Sequence, residues 1–131
     1  MDKIINEDFL KIKNIAGTPQ DTPLLMINQN KYIKDEYPNG NLYKNWKKIN
    51  LKMLSNVKGK ILWNLDVKGQ TLINGYFQSL DEILAYWYPS HSSFLKLLDD
   101  PLRLESFEIR KKIISYSIIH RCDGINPPLI K

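Results

Sequence analysis

The sequence predicts an α+β fold in which a four-stranded antiparallel sheet carries its helices on one face. Three observations lead there. Leu42, Trp46, Ile49, Met53 and Val57 follow one another at spacings of four, three, four and four, which marks one long amphipathic helix. Residues 24–32, 60–66, 81–88 and 115–121 are short apolar or aromatic runs that read as strands. The helical segments fall between the first and second strands and between the third and fourth. A split βαβ repeat of that order, βαββαβ, builds an antiparallel sheet with both helices on one side. The opposite side is left for another surface, and a twin copy is the simplest cover because closed dimers are the commonest assembly.

Each element has its own local cause. Phe9, Leu10, Ile12 and Ile15 give residues 7–16 an apolar stripe, and this extra N-terminal helix stops at Gly17, Pro19 and Pro23. Residues 24–32 open on the continuous run Leu24-Leu25-Met26-Ile27, as expected of a strand covered on both faces. Pro38-Asn39-Gly40 turns the chain. Asn41 is placed to cap the helix over 42–57, and Gly59 follows its end. Residues 60–66 form the second strand, and Thr71-Leu72-Ile73 offer a short ribbon after a turn at 67–70. Residues 81–88 are aromatic-rich, as strands often are. Pro89 ends that strand, and Ser90 caps a helix through Leu98. Asp100-Pro101 breaks the helix and restarts it to about Lys112. The domain division is then 1–23 for the N-terminal helix and linker, 24–122 for the sheet domain and 123–131 for the C-terminal tail.

Composition narrows the function classes. The chain has 131 residues, 43% hydrophobic and 25% charged, which suits one globular domain and not a disordered one. Cys122 is the single cysteine, so neither an internal disulfide nor a cysteine cluster is possible. The start, Met1 to Asp8, mixes charges and holds no apolar secretory stretch, and no run approaches a membrane span, so a cytoplasmic location without a membrane partner is expected. The net charge of +5 comes almost wholly from lysine, since arginine occurs only at Arg103, Arg110 and Arg121. Nucleic-acid surfaces draw on the flat arginine fork, so lysine as the filler of solvated faces is preferred over a nucleic-acid partner. Lys44, Lys48 and Lys52 line one such helix face.

The segment from Thr22-Pro23 through the apolar strand to Asn28, Lys31 and Tyr32 resembles the opening of a family of small uncharacterised proteins in the dimeric α/β-barrel superfamily. Gly59-Lys60-Ile61-Leu62-Trp63 is similar to that family's second strand. Tyr86-Trp87-Tyr88-Pro89-Ser90 with Phe94, then Asp100-Pro101, resembles its third strand and broken helix. Arg110 falls where the family has an arginine, and His91 stands at a position that is arginine-like there. The resemblance spans about Phe9 to Cys122. It implies the ferredoxin-like fold and a homodimer. It implies little chemistry, because the wider superfamily holds cofactor-free monooxygenases, haem-degrading monooxygenases, lactone isomerases and plain binding modules. Haem-degrading members place a histidine on the helix that here reads Leu104 to Arg110, without one, so no haem is expected.

Six residues are candidates for a site. Asn28 is polar within an apolar strand, where its amide needs partners from the backbone or from a ligand. Trp63, Tyr86 and Tyr88 bring rings with polar tips, suited to a flat ligand or to ordinary packing. Tyr86 and Tyr88 share one strand face and Trp87 takes the other. His91, in the first turn after Ser90, is a candidate proton carrier. Arg110 could bind a carboxylate or phosphate with its fork, or pair with Glu105 or Glu108. His120 and Cys122 read as packed or inert. Glycine-rich phosphate loops and paired-histidine metal motifs are absent from the sequence, so no metal or other cofactor is expected. The expectation is a small-molecule-binding homodimer. One form is a cofactor-independent monooxygenase-like or isomerase-like enzyme, with His91 and Tyr88 catalytic and Asn28, Trp63, Tyr86 and Arg110 binding. The alternative is a dimer of the same fold that binds without turnover.

Overall fold

The computed structural model describes residues 6–76 and 78–130. The first five residues of the charged start and Lys131 of the tail lie outside them. Among the described residues, four helices and a short 3-10 turn accompany four strands. In chain order these are α1 (Asn6–Ile15), β1 (Leu24–Tyr32), α2 (Asn41–Asn56), β2 (Lys60–Asp66), β3 (Glu82–Tyr88), α3 (His91–Leu95), the 3-10 turn (Lys96–Asp99), α4 (Arg103–Ile113) and β4 (Ile114–Asp123). The sheet order is β2-β3-β1-β4 and all neighbours are antiparallel. The α2 connection therefore crosses over β3, and the α3–α4 connection crosses over β1.

Register decides which side chains face the helices. Leu24, Met26, Asn28, Asn30 and Tyr32 of β1 are all buried, as are Glu82, Leu84 and Tyr88 of β3, and these share the parity of one face. One part of the core joins Tyr32 to Tyr43, Trp46, Ile49 and Met53 of α2 and to Ile109 and Ile113 of α4. The other joins Leu24, Met26 and Tyr88 to Ile12, Leu54 and Val57. All four strands thus turn one face to the helices. Leu84 and Ile113 are fully enclosed, and burial of such a side chain is worth about 1.5–3 kcal/mol.

Several boundaries differ from expectation. The helix α2 begins at Asn41 with no capping bond from the residue before it; the Glu36 carboxylate instead accepts the Tyr43 N–H at 2.6 Å. At its far end the left-handed residue is Lys58, with φ of 62°, not Gly59. Gly59 serves by its size, since a Cβ there would stand 3.0 Å from the Trp87 carbonyl oxygen. Ser90 does cap α3, accepting the Ser93 N–H at 2.9 Å. Asp100 forms a turn ahead of α4, its carboxylate accepting the Leu102 N–H at 2.8 Å. Residues 71–73 are not a strand, and Leu72 and Tyr76 are almost fully exposed in that connection.

The reverse face of the sheet carries Leu25, Ile27, Trp63, Ile83, Ala85, Trp87 and Ile118. The C-terminal tail lies against it. Trp87 Nε1 donates to the Gly124 carbonyl at 2.8 Å and Trp63 Nε1 to the Pro128 carbonyl at 3.1 Å.

The helix α1 is held by charge as well as by Ile12. Arg121 forks onto Asp8, with Nη2–Oδ1 at 2.8 Å and Nε–Oδ2 at 3.1 Å. In the following linker, Asp21 accepts the N–H of Gly17 at 2.9 Å, that of His91 at 2.6 Å and the Ser92 hydroxyl at 2.5 Å. Burial alone would raise the Asp21 carboxyl, but the bonds from Ser92, Gly17 and His91 outweigh it and bring it down to about 2. A depressed carboxylate contributes stability that is present above its ordinary value of 3.8 and lost as pH falls toward about 2. Asp21→Asn is expected to cost about 1–2 kcal/mol near neutrality, as befits hydrogen bonds to a charged group. It should also flatten the fall in melting temperature over that acid window. Parallel acid limbs in the two proteins would show that the clamp contributes nothing.

Candidate functional site

Between the sheet and the helices lies a cleft of about 240 Å³. Its floor comes from the central strands, with Met26 and Asn28 of β1 beside Tyr86 and Tyr88 of β3. One wall is α2, which presents Trp46, Asn50, Met53 and Leu54. The other is Phe94, Leu97, Ser106 and Arg110 from the α3–α4 segment, and Ile119 of the edge strand β4, half exposed, stands at the rim. The helical repeat explains the α2 set, since positions 46, 50, 53 and 54 fall on one side at steps of four, three and one.

The polar atoms of the cleft are unevenly served. Asn28 donates one amide hydrogen to the Met26 carbonyl at 3.2 Å. Asn50 Oδ1 accepts the Ser106 hydroxyl at 2.6 Å. Two buried side-chain atoms among the described residues have no hydrogen-bond partner, Trp46 Nε1 and the Tyr86 hydroxyl, and both residues line this cleft. Asn50 is close enough to influence the Tyr86 hydroxyl without completing a bond to it. Burial, then the charge of Glu82, pushes the Tyr86 phenol above its ordinary range; burial first and Tyr86 second do the same for Tyr88. Both rings keep their protons at neutral pH. Tyr88 also packs edge-on against Phe94, at 5.2 Å between centroids.

Of the six sequence candidates, Asn28, Tyr86, Tyr88 and Arg110 come together here. Trp63 does not. It pairs with Ala85 beside a register shift, so its ring faces the reverse of the sheet and the tail. His91 does not line the cleft either. Its Nδ1 donates to the Thr22 carbonyl at 2.8 Å and its Nε2 lies 3.5 Å from Arg121 Nη1, which places it in the clamp that holds the linker. Trp46 and Asn50 entered the sequence reading only as helix positions. The available clue was Asn50, a polar residue one step beyond Ile49 on the inward side.

A second polar system lies further along the same sheet face. Glu82 is completely buried, and its carboxylate accepts Tyr32 Oη at 2.7 Å, Tyr43 Oη at 2.7 Å and Asn64 Nδ2 at 2.5 Å. Lys47 Nζ stands 3.6 Å away. The chain of bonds continues from Tyr32 Oη to Asn30 at 3.1 Å and from Asn30 Oδ1 to Ser117 at 2.8 Å, so it spans all four strands. Burial, reinforced by Glu82, raises both phenols. Burial lowers the Lys47 ammonium, with Glu82 opposing it. Every carboxylate oxygen has a donor, so this system reads as a structural spine beside the cleft. Among the described residues, no group of three histidine, cysteine, aspartate or glutamate side chains is placed to hold a metal ion, and no helix is long and apolar enough to cross a membrane.

No protein-family model matches the chain, and no curated protein matches it. Solved structures do. The crystal structure of RPA0582, a protein of unknown function from Rhodopseudomonas palustris, aligns with a TM-score of 0.74 at 20% identity, covering 96% of this chain and 97% of that one. The structure of methylated RPA0582 aligns with the same TM-score and identity over 95% of each chain. The likeness establishes a shared small antiparallel α/β fold across nearly the whole of both chains, and the fold alone.

Proposed function

We propose that the chain is a cytoplasmic, small-molecule-binding homodimer with a ferredoxin-like fold of the dimeric α/β-barrel kind, and that its ligand occupies the cleft between the sheet and α2. The observation that carries this reading is the pair of unpartnered buried atoms, Trp46 Nε1 and Tyr86 Oη, which belong to two residues that line one cleft and lie just beneath its surface. Leaving a buried donor unsatisfied costs about 1–3 kcal/mol, and a ligand that completes both bonds would recover that cost. The volume suits a molecule on the order of ten non-hydrogen atoms, against roughly 30 Å³ for each water displaced. The exposed Leu65 and Ile118 on the reverse of the sheet, with Ile125, Leu129 and Ile130 of the tail, support a pairing surface for the second copy.

Binding is favoured over turnover. The route expected from the sequence needs a proton carrier in the cleft, and His91 is committed to the linker clamp instead. The phenols that do line it are held protonated. The basic excess does not redirect the reading. Exposed Lys44, Lys48 and Lys52 offer point charges without the arginine forks and stacking rings that nucleic-acid surfaces use.

Tyr86→Phe separates this proposal from mere packing. The variant removes a hydroxyl that has no partner, so the free protein should match the wild type or gain up to about 1 kcal/mol. Phenol at millimolar concentration should raise the wild-type melting temperature and raise that of the variant less. A variant clearly less stable than the wild type, or phenol shifts equal in the two, would remove the ground for placing a ligand there.

A further inference from the structure

We propose that Trp46, Tyr43, Tyr32 and Tyr37 form a relay that carries a one-electron oxidation from the cleft to the surface of the molecule. This goes beyond binding, since the rings are fixed whatever occupies the cleft. The rings are contiguous. Trp46 lines the cleft, and its centroid lies 6.2 Å from that of Tyr32 and 6.5 Å from that of Tyr43. Tyr37 follows at 5.2 Å from Tyr32 and 5.1 Å from Tyr43, and it is partly exposed. Two routes through the buried pair therefore meet at one outlet. Packing accounts for the ring contacts but not for the polar ends of the rings. Each of the three phenols donates to a carboxylate. Tyr32 and Tyr43 reach the two oxygens of Glu82 at 2.7 Å, and Tyr37 reaches Asp66 at 3.0 Å. Those are distances at which a positioned base takes a proton.

A phenol that loses an electron becomes a strong acid, so an acceptor already in place makes its oxidation easier. Burial first, and the accepting carboxylate with it, keeps all three phenols protonated until then. Trp46 has the opposite equipment. Its Nε1 has no partner, so an oxidised indole keeps its proton and its positive charge and remains the stronger oxidant. The gradient therefore runs outward. An oxidising radical in the cleft, of the aryloxyl or peroxyl class, takes one electron from the indole and becomes an anion. The indole cation takes one electron from Tyr43 or Tyr32, whose proton passes to Glu82. That phenoxyl takes one electron from Tyr37 and its proton back from Glu82, while the Tyr37 proton passes to Asp66. At the surface a soluble thiol gives up one electron and a proton, ending as a thiyl radical, and Tyr37 recovers its own proton from Asp66. Tyr86 lines the same cleft, but its hydroxyl has no acceptor and it is not an outlet.

The test places a one-electron oxidant at the cleft of the full chain. Cys122→Ser removes the single native thiol, and Ile119→Cys at the rim carries a ruthenium polypyridyl label that a flash and a quencher oxidise. Electron paramagnetic resonance follows the radicals, and spin trapping with mass spectrometry locates the one that reaches the surface. The expected result is a tyrosyl signal that grows as the tryptophanyl signal decays, with the trap added at Tyr37. Trp46→Phe should abolish trapping at Tyr37. Glu82→Gln keeps every ring and removes the base, so tyrosyl formation should slow roughly a hundredfold, the low end of what a positioned base supplies. Trapping at Tyr37 undiminished in Trp46→Phe would overturn the relay, and so would an unchanged rate in Glu82→Gln. Should Trp46→Phe not fold, the Glu82→Gln rate alone decides. An oxidation that ends on Tyr86 or Met53 of the cleft lining would overturn it as well. None of these outcomes touches the phenol shifts of Tyr86→Phe, so the relay and the binding reading fall separately.

Discussion

Glu82→Ala should cost about 3–5 kcal/mol, the range expected when one partner of a buried charged network is removed. The carboxylate has no exposure at all, and its oxygens are the shared acceptors for Tyr32, Tyr43 and Asn64, with Lys47 at 3.6 Å. Alanine leaves those donors buried with nothing to meet, and an ammonium facing a cavity. A domain of this size is stable by about 5–15 kcal/mol, so the variant forfeits a large share of the whole. Glu82→Gln keeps the shape and one oxygen but turns an NH₂ toward a donor, so a smaller loss of about 1–3 kcal/mol is expected. Ser117→Ala, at the far end of the chain of bonds, should cost about 1 kcal/mol. Urea unfolding with an unchanged slope measures all three. If the alanine variant lies within 1 kcal/mol of wild type, the network is ornamental and the sheet is held by its apolar contacts alone.

That network also marks where sequence reasoning stops. The strands and α2 are legible because their causes are local: a repeat of four and three in Leu42, Trp46, Ile49 and Met53, and runs of branched and aromatic residues between turns. The cleft is half legible for the same reason. Strand parity puts Asn28, Tyr86 and Tyr88 on one face, and the crossing helices bring Arg110 over them. Parity fails for Trp63 because register shifts between Ile61 and Trp63, and one extra residue sends the next side chain to the other side. His91 stands outside the cleft because its partners, Asp21 and Thr22, lie some seventy residues earlier in the chain. Glu82 looks like the solvated start of a strand until Tyr32 and Tyr43, fifty and thirty-nine residues before it, close over its carboxylate. Asn41 and Gly59 carry the right chemistry for caps, yet Glu36 and Lys58 hold the positions. Local chemistry proposes such roles, and tertiary contacts decide among the residues able to fill them.

Gly124→Val tests the reverse face of the sheet, which the sequence reading assigned wholly to a second copy. Gly124 is buried where the tail leaves β4, and a Cβ there would stand 2.7 Å from the backbone N and C of Leu24 and 2.8 Å from its Cα. Those atoms belong to a central strand paired on both sides, so they cannot step back. The tail must yield instead. Yielding breaks the Gly124 N–H bond to the Pro23 carbonyl at 3.1 Å and withdraws the Gly124 carbonyl from Trp87 Nε1. The expected cost is about 2–3 kcal/mol, as for other overpacked interior positions. Trp87 and Trp63 lose their carbonyl partners together, so their fluorescence should shift toward that of a solvated indole. Under the homodimer proposal the tail contributes Ile125, Leu129 and Ile130 to the pairing surface beside Leu65 and Ile118. Light scattering should then give twice the chain mass for the wild type and a marked shift toward the single mass for the variant. Gly124→Ala should show the same effects at smaller amplitude, because the offending atom is the Cβ itself. A wild type that runs at the single mass would end the dimer proposal. A variant that loses the tryptophan contacts yet keeps the double mass would place the pairing surface elsewhere on the molecule.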